Sequence, residues 1–421
     1  MIICIIGSGG REHAICKTIS FSSKISKIYC LPGNAGTEEL AENIDLDINN
    51  FDKVLKFLKD TKVDLVIVGP EKPLVNGIVD LLENNGIKVF GPRKIPSQLE
   101  GSKTFTKNIC KKYNIPTAKF EIYNKKEDAI SFLENSKFPI IIKADGLAAG
   151  KGVYISKNLS EAIEAVNEVF DGKFGVAKKI LVEEFLNGEE MSFFIVCDGK
   201  DFKLFQTAQD HKRVFEGDEG KNTGGMGAYS PSGLINKTLE NKIIEKIISP
   251  TLRAINEMGE KYKGFLYAGL MIIDNEPFLI EYNVRMGDPE CQTILPILKT
   301  DLIDIFNACC DENLENLNIE WKEEKSLCIV LCSKGYPENF INNIKIDNLN
   351  KLKLTSNDFI FHAGTKEEKN EILSNGGRVL NFVSLSSSFK VSRKKAIKLI
   401  NQLNWKNGFF RKDIGFKIID K

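Results

Sequence analysis

The sequence predicts a multidomain α/β and α+β protein. It should open with a doubly wound parallel sheet and close with a small β-rich domain. Three observations predict this. The 421 residues exceed what one core ordinarily covers. Over residues 1–101, short apolar runs alternate with helical periodicity, the pattern of a parallel sheet covered by helices. Further on, small α+β units and a hairpin signal follow, without an internal repeat or low-complexity linker.

Taken in order, "IICII" is a strand ending at Gly7, "REHAICKTI" is helical and "KIYCLPGN" is a second strand. In "FDKVLKFLKD", Phe51, Val54, Leu55 and Leu58 recur at i, i+3, i+4 and i+7, so it is an amphipathic helix. "VDLVIVGPE" reads as a buried strand, "PLVNGIVDLLENNG" as a helix closed by Gly86, and "IKVFGP" as another strand. Ligands of such a sheet gather at the carboxyl ends of its strands, here "GSGGREH", "PGNAGT", "GPE" and "GP". The spacing excludes a dinucleotide fold. Gly7 and Gly9 fit GxGxxG, but the third position is Glu12, and the second strand ends without an acid to hold a ribose. The alternative is that these glycines only make tight turns.

"GSKTFTKNICKKYNIPTA" is a helix with a Pro-containing connector. A small α+β unit covers about 120–192, with the strand "FPIIIKAD", the loop "GLAAGKGV", a helix at "LSEAIEAVNEVF" and the strand "KILVEEFLNGEEMSFF". A mixed region runs to about 325, and a last unit starts at the strand "SLCIVLC". The expected division is 1–101, 102–325 and 326–421.

At 42% hydrophobic and 27% charged residues with a net charge of +1, nothing argues for a nucleic-acid or membrane partner. The ten cysteines contain no CxxC pair, against zinc, and Cys4, Cys197 and Cys328 lie inside apolar runs as buried hydrophobes. "MIICIIGSGG" lacks the basic start and length of a signal peptide, and no apolar stretch nears the ~20 residues of a membrane span. A cytoplasmic location is expected.

Chemistry concentrates in four places. In "GLMIIDNEPFLIEYNVRMGDPE" two apolar runs flank a turn, and Glu281, Asn283 and Arg285 share one strand face while Ile280, Tyr282 and Val284 share the other. An acid and an amide in that row suit Mg²⁺ completed by substrate phosphates, with Arg285 reaching an adjacent anion. A solvated face is the alternative. "KADGLAAGKGV" is not a P-loop, because Gly150-Lys151 is followed by Gly152 rather than a hydroxyl residue. Its residues 146–152 nevertheless offer unobstructed backbone N–H groups. Lys143 ends a strand apolar enough to be buried, so its charge should meet an anion, and Lys103 and Lys151 join it as candidates. In "LVEEFLNGEEMS", Val182, Phe185 and Leu186 can sandwich a planar base, the backbone from Glu183 to Leu186 can pair with its edge, and Glu190 can hold ribose hydroxyls.

In this order, the four pieces resemble the ATP-grasp superfamily, in which ATP lies between two α+β lobes. "GSGGREHA", "PGNAGT", "GPEKPLVNGIVD", "QDHKRVFEGDEGKNTGGMGAYSP", "EYNVRMGDPECQ", "HAGT" and "GGRVL" narrow this further. They resemble the glycinamide ribonucleotide synthetase (phosphoribosylamine–glycine ligase) family over nearly the whole chain. The resemblance implies a two-lobed ATP-grasp core with its small lid lobe at about 120–192. It implies ATP-dependent joining of glycine to 5-phosphoribosylamine through glycyl phosphate, a step of purine biosynthesis, by a monomer acting on small molecules.

The resemblance assigns ATP to Lys103, Lys143, Gly150, Lys151, Gly152, Glu183, Glu184, Phe185, Leu186 and Glu190, and Mg²⁺ or Mn²⁺ to Glu281 and Asn283. Asp210 would take glycine's ammonium and Arg285 its carboxylate, with Lys143 completing the catalytic set. His211 and Lys212 would meet anions, and Thr223, Gly224, Gly225, Met226 and Gly227 would wall the small substrate. The phosphoribosyl group would lie against Gly9, Gly10, Asn34, Gly69, Pro70 and Glu71. Two departures stand out: the strand "YAGLMII" lacks a metal-binding acid, and Cys291 beside the site reads as packing. Another ATP-grasp carboxylate–amine ligase, or a nucleotide sensor without turnover, is the rival reading.

Overall fold

The protein is described by a computed structural model covering residues 1–147, 152–173 and 179–419. Its first sheet is parallel, in the order Glu42–Asn43, Lys27–Pro32, Ile2–Gly7, Leu65–Val68, Val89–Phe90. Ile3 and Ile5 enter one apolar core and Cys4 and Ile6 another, so the period-two alternation of one strand serves both faces. Helix Gly10–Ile19 follows the first strand at once. Its Glu12 is buried and accepts a hydrogen bond from Gly9 N at 2.6 Å. A Cβ on Gly69 would stand 2.1 Å from Glu12 Oε1, and one on Gly7 2.5 Å from Glu12 Cγ. A carboxylate thus fills the space where a dinucleotide fold receives its phosphate.

Two stretches differ from expectation. "PLVNGIVDLLENNG" forms two helices, Glu71–Asn76 and Ile78–Asn84, because Gly77 takes φ +93° at their junction. "KILVEEFLNGEEMSFF" is two strands in different sheets. Ile180–Glu184 pairs with Phe120–Tyr123 and Ile140–Ala144 in the small lobe, and Val153–Ser156 completes that sheet. Glu189–Asp198 pairs with Phe202–Leu204 and Lys263–Ile273 in the larger sheet. Helices Lys126–Glu134 and Leu159–Phe170 bury Leu133, Ala162 and Val166 against the small lobe's own core.

The expected hairpin is Lys263–Ile273 with Glu276–Asn283. Asp274 and Asn275 both have positive φ, the geometry of a two-residue turn. The last sheet runs Gln209–Asp210, Gly227–Ser230, Lys325–Ser333, Arg378–Ser386, Asp358–His362. The sheet of the last unit therefore takes in two strands from the "QDHKR…NTGGMGAYS" stretch, far outside 326–421. Helix Phe389–Leu403 covers it through Ala396, Leu399, Ile400 and Leu403. All ten cysteines are free thiols and nine are buried. Among the described residues no helix is long and apolar enough to cross a membrane.

Candidate active site

A cavity of about 400 Å³ opens between the small lobe, the larger sheet, the first domain and the last unit. Glu281 and Asn283 line it; Ile280 and Tyr282 also border it, although the Tyr282 side chain is buried in the core with Val284. A register irregularity opposite Gly269 and Leu270 leaves Ile280 unpaired just before them, and such bulges re-aim the strand beyond. The hairpin therefore delivers two hard oxygen donors to the cavity, which fits a divalent cation held by few protein ligands. Among the described residues no cluster of three His, Cys, Asp or Glu side chains forms a metal cage.

Lys143 is 4% exposed and its Nζ lies 2.9 Å from Glu183 Oε2. Lys107 Nζ approaches the same oxygen at 3.3 Å and takes a further contact at Thr117 Oγ1, 2.6 Å. Burial pushes the Glu183 carboxyl up, but the two ammonium groups outweigh it and hold it below its ordinary value. Lys107 was not among the sequence candidates, although it stands at i+4 from Lys103 on helix Lys103–Tyr113 and so faces the same way. Lys103 Nζ donates to Gly146 O at 2.9 Å, and burial lowers its pKa. Asp145, at the start of the glycine loop, accepts from Thr104 N and Ser102 Oγ and so ties that loop to the helix start. Gly152 lines the cavity. Gly150 and Lys151 lie outside the described residues.

Glu184, Phe185 and Leu186 line the same cavity, as do Met271 and Leu279. Val182 does not, being buried in the small-lobe core. Glu190 Oε2 accepts from Lys212 Nζ at 2.6 Å, so both expected ligands are already paired. Asp210 lines the cavity beside them. Burial pushes its carboxyl up to about 7, with Lys212 opposing the shift and Glu290 and Glu190 adding to it.

Several expected substrate residues point elsewhere. His211 is buried, its Nε2 accepts from Gly415 N at 2.9 Å and its Nδ1 faces Asp218 Oδ1 at 3.4 Å, because strand alternation turns it away from Asp210. Thr223 and Gly224 line the cavity, but Gly225, Met226 and Gly227 do not. A Cβ on Gly227 would meet Cys328 O at 2.5 Å, and Met226 Sδ packs 3.7 Å from Cys332 Sγ in the last sheet. Arg285 reaches the cavity clasped by Glu100 at 2.6 Å and Glu71 at 3.4 Å, so an anion must share it with these acids.

Of the expected amino-terminal residues Glu71 lines the large cavity, joined by Arg11 of "GSGGREH". Asn34 spends its amide on Ser8 O, His362 O, Gly36 N and Thr37 N, which holds the "PGNAGT" loop against the last unit. Gly10 packs on Gln292 and Asn381, and Pro70 caps helix Glu71–Asn76. Gly69 faces a separate cavity of about 10 Å³, room for one water at most. Gly9 stands at the border, since a Cβ there would lie 3.5 Å from Asp288 Oδ2 on the cavity wall. Besides Lys107, the wall includes Glu100, Asp288, Glu290 and Arg378. The last three sit in the motifs "GDPECQ" and "GGRVL", which carry the resemblance but suggested no roles. Cys291 is fully buried and burial pushes its thiol up, as packing requires.

A cavity between a small α+β lobe and a larger sheet, lined by buried lysines together with an acid and an amide, fits the ATP-grasp class. A biotin carboxylase domain of Hydrogenobacter thermophilus superposes with a TM-score of 0.72 at 16% identity over 95% of this chain and 89% of its own, which shows the fold alone. Family models for the N, ATP-grasp (A) and C domains of phosphoribosylglycinamide synthetase match residues 1–100, 101–291 and 326–417, and the chain belongs to that family. It is 43% identical over 422 residues to a phosphoribosylamine–glycine ligase of Brucella melitensis, covering 100% of this chain and 99% of that one. It is 44% identical over 420 residues to one from Mesorhizobium japonicum, with the same coverage. The crystal structure of the Thermotoga maritima ligase superposes with a TM-score of 0.86 at 33% identity, covering 99% of this chain and 100% of the other.

Proposed function

We propose that this protein is a carbon–nitrogen ligase that joins glycine to 5-phosphoribosylamine with cleavage of ATP to ADP and phosphate, yielding glycinamide ribonucleotide for purine biosynthesis. One observation carries the reading: the stretch holding Asp210, Lys212, Thr223 and Gly224 opens into the same cavity as Lys103, Lys143, Glu281 and Asn283. The family's most distinctive segment thus faces its nucleotide machinery.

The adenine lies between Phe185 and Leu186 on one side and Met271 and Leu279 on the other. Lys103 and Lys143 meet the phosphates, with Lys151 from the glycine loop. Glu281 and Asn283 hold Mg²⁺ or Mn²⁺, which supplies charge neutralisation at the transferring phosphoryl group. Asp210 receives glycine's ammonium and Arg285 orients its carboxylate, whose oxygen attacks the γ-phosphorus as ADP leaves. The phosphoribosylamine nitrogen then attacks the glycyl carbonyl carbon, and phosphate departs with the C–O bond electrons while the nitrogen loses a proton. Both steps place charge on oxygens, so positioning and electrostatics suffice without a protein nucleophile. We assign residues 1–101, 102–325 and 326–421 to the three domains, and a cytoplasmic monomer with no nucleic-acid or membrane partner to the working form. ADP release that requires both glycine and 5-phosphoribosylamine supports the reading. Release that needs neither, or none at all with both present, overturns it.

A further inference from the structure

Arg378 is the first residue of strand Arg378–Ser386 in the last unit, yet its side chain reaches the cavity wall. Its Nη1 donates to Gly224 O at 2.6 Å and Asp288 O at 2.6 Å, and lies 3.2 Å from Asp288 Oδ1. Its Nε and Nη2 have no protein partner among the described residues. The guanidinium is therefore fixed at one nitrogen while its two-pronged Nε–Nη2 edge remains available. That edge is the geometry that grips a phosphate with two parallel hydrogen bonds.

The surroundings are shaped for this pose. A Cβ on Gly224 would lie 2.9 Å from the guanidinium carbon and from Nη2, so only glycine lets Arg378 lie across it. Tyr336, also from the last unit, accepts a hydrogen bond from Gly224 N at 3.0 Å and pins the same peptide from the other side. Most other cations on the wall already meet carboxylates: Lys143 and Lys107 meet Glu183, Lys212 meets Glu190, Arg285 meets Glu100 and Arg11 meets Glu12, while Lys103 donates to Gly146 O. From the amino-terminal loops, Arg11 and Glu71 line the same cavity and Gly9 stands at its border near Asp288.

We infer that Arg378 receives the 5-phosphate of the ribosylamine substrate, so that the last unit reads the phosphorylated end while the ATP lobes carry out the ligation. The inference rests on the proposed function, because only that reading puts a sugar phosphate in this cavity. The probe is calorimetric binding of glycinamide ribonucleotide and of the same compound without its phosphate, with MgATP affinity as the measure of an intact site. Arg378→Lys keeps a positive charge but removes the fork. It is expected to weaken the phosphorylated compound about ten- to a hundred-fold. Its affinities for the dephosphorylated compound and for MgATP should be unchanged. Gly224→Ala, which displaces the guanidinium, should act in the same direction and serves if the first variant does not fold. If the variants keep the parent's preference for the phosphorylated compound, or lose all three ligands together, Arg378 is a structural clasp and the inference fails. A parent protein that binds neither compound overturns the proposed function as well, which separates the two failures.

Discussion

Lys143 Nζ and Glu183 Oε2 form a 2.9 Å ion pair with both side chains 5% exposed or less. Two ammonium groups share this one carboxylate, and Glu183 Oε1 is buried with no hydrogen-bond partner among the described residues. Glu183→Gln would leave two buried cations uncompensated, and removing one partner of a buried pair typically costs roughly 3–5 kcal/mol. A clearly lowered Tm in scanning calorimetry is expected. Adding Lys107→Met to that variant removes one of the stranded charges and should recover part of the loss. A Glu183→Gln protein as stable as the parent would show that the carboxylate is not their counter-charge.

Glu281→Gln and Asn283→Ala should each lose most activity while circular dichroism shows an unchanged fold, because both side chains face the cavity rather than a core. Loss of a ligand to the ion that neutralises phosphoryl charge costs several kcal/mol of barrier. EDTA should abolish ADP release from the parent, and added Mg²⁺ should restore it. Near-normal turnover in both variants at saturating Mg²⁺ would remove the metal assignment.

Asp210 gives the reaction a pH dependence. Burial lifts its carboxyl to about 7, so the acid is increasingly protonated below that value and cannot pair with an ammonium. At saturating MgATP, kcat/KM for glycine should fall about tenfold per pH unit below 7 and level off above about 8. The effect on stability of the unliganded protein has the opposite sense. A folded pKa raised above 3.8 means that the group's contribution is fully present below pH 3.8 and is lost as pH rises through about 7. Asp210→Asn should flatten both profiles. A glycine profile flat from pH 6 to 8 in the parent would separate Asp210 from the ammonium.

Local periodicity revealed what local chemistry decides. The alternation of Ile3 and Ile5 with Cys4 and Ile6, the positive-φ turn at Asp274 and Asn275, and the shared face of Glu281 and Asn283 follow from two- or four-residue patterns. Nonlocal pairing did not announce itself. Gly227–Ser230 joins Lys325–Ser333 across about a hundred residues, which turns Met226 and Gly227 into the last sheet rather than toward a ligand. His211 and Asp210 are adjacent in "QDHKR", yet one strand step sends them to opposite sides. Counter-charges were hidden for the same reason: Glu100, Glu183 and Asp288 meet their cations through tertiary contacts.

Gly225 separates a structural glycine from a specificity wall. Its φ is +115°, a conformation that L side chains rarely adopt, and a Cβ would come 2.6 Å from Pro289 Cδ. Overpacking of this kind costs typically ~1–3 kcal/mol, before any strain from the backbone angle. Because Gly225 faces Pro289 and not the cavity, Gly225→Ala should lower Tm and reduce kcat/KM for every substrate together. The parent should still prefer glycine over L-alanine by roughly ten- to two-hundred-fold, the discrimination expected for one added methyl group. The variant should keep that ratio. Steady-state kinetics with both amino acids on parent and variant decides the matter. A collapse of the ratio in Gly225→Ala, with Tm unchanged, would put this residue back against the amino acid's Cα.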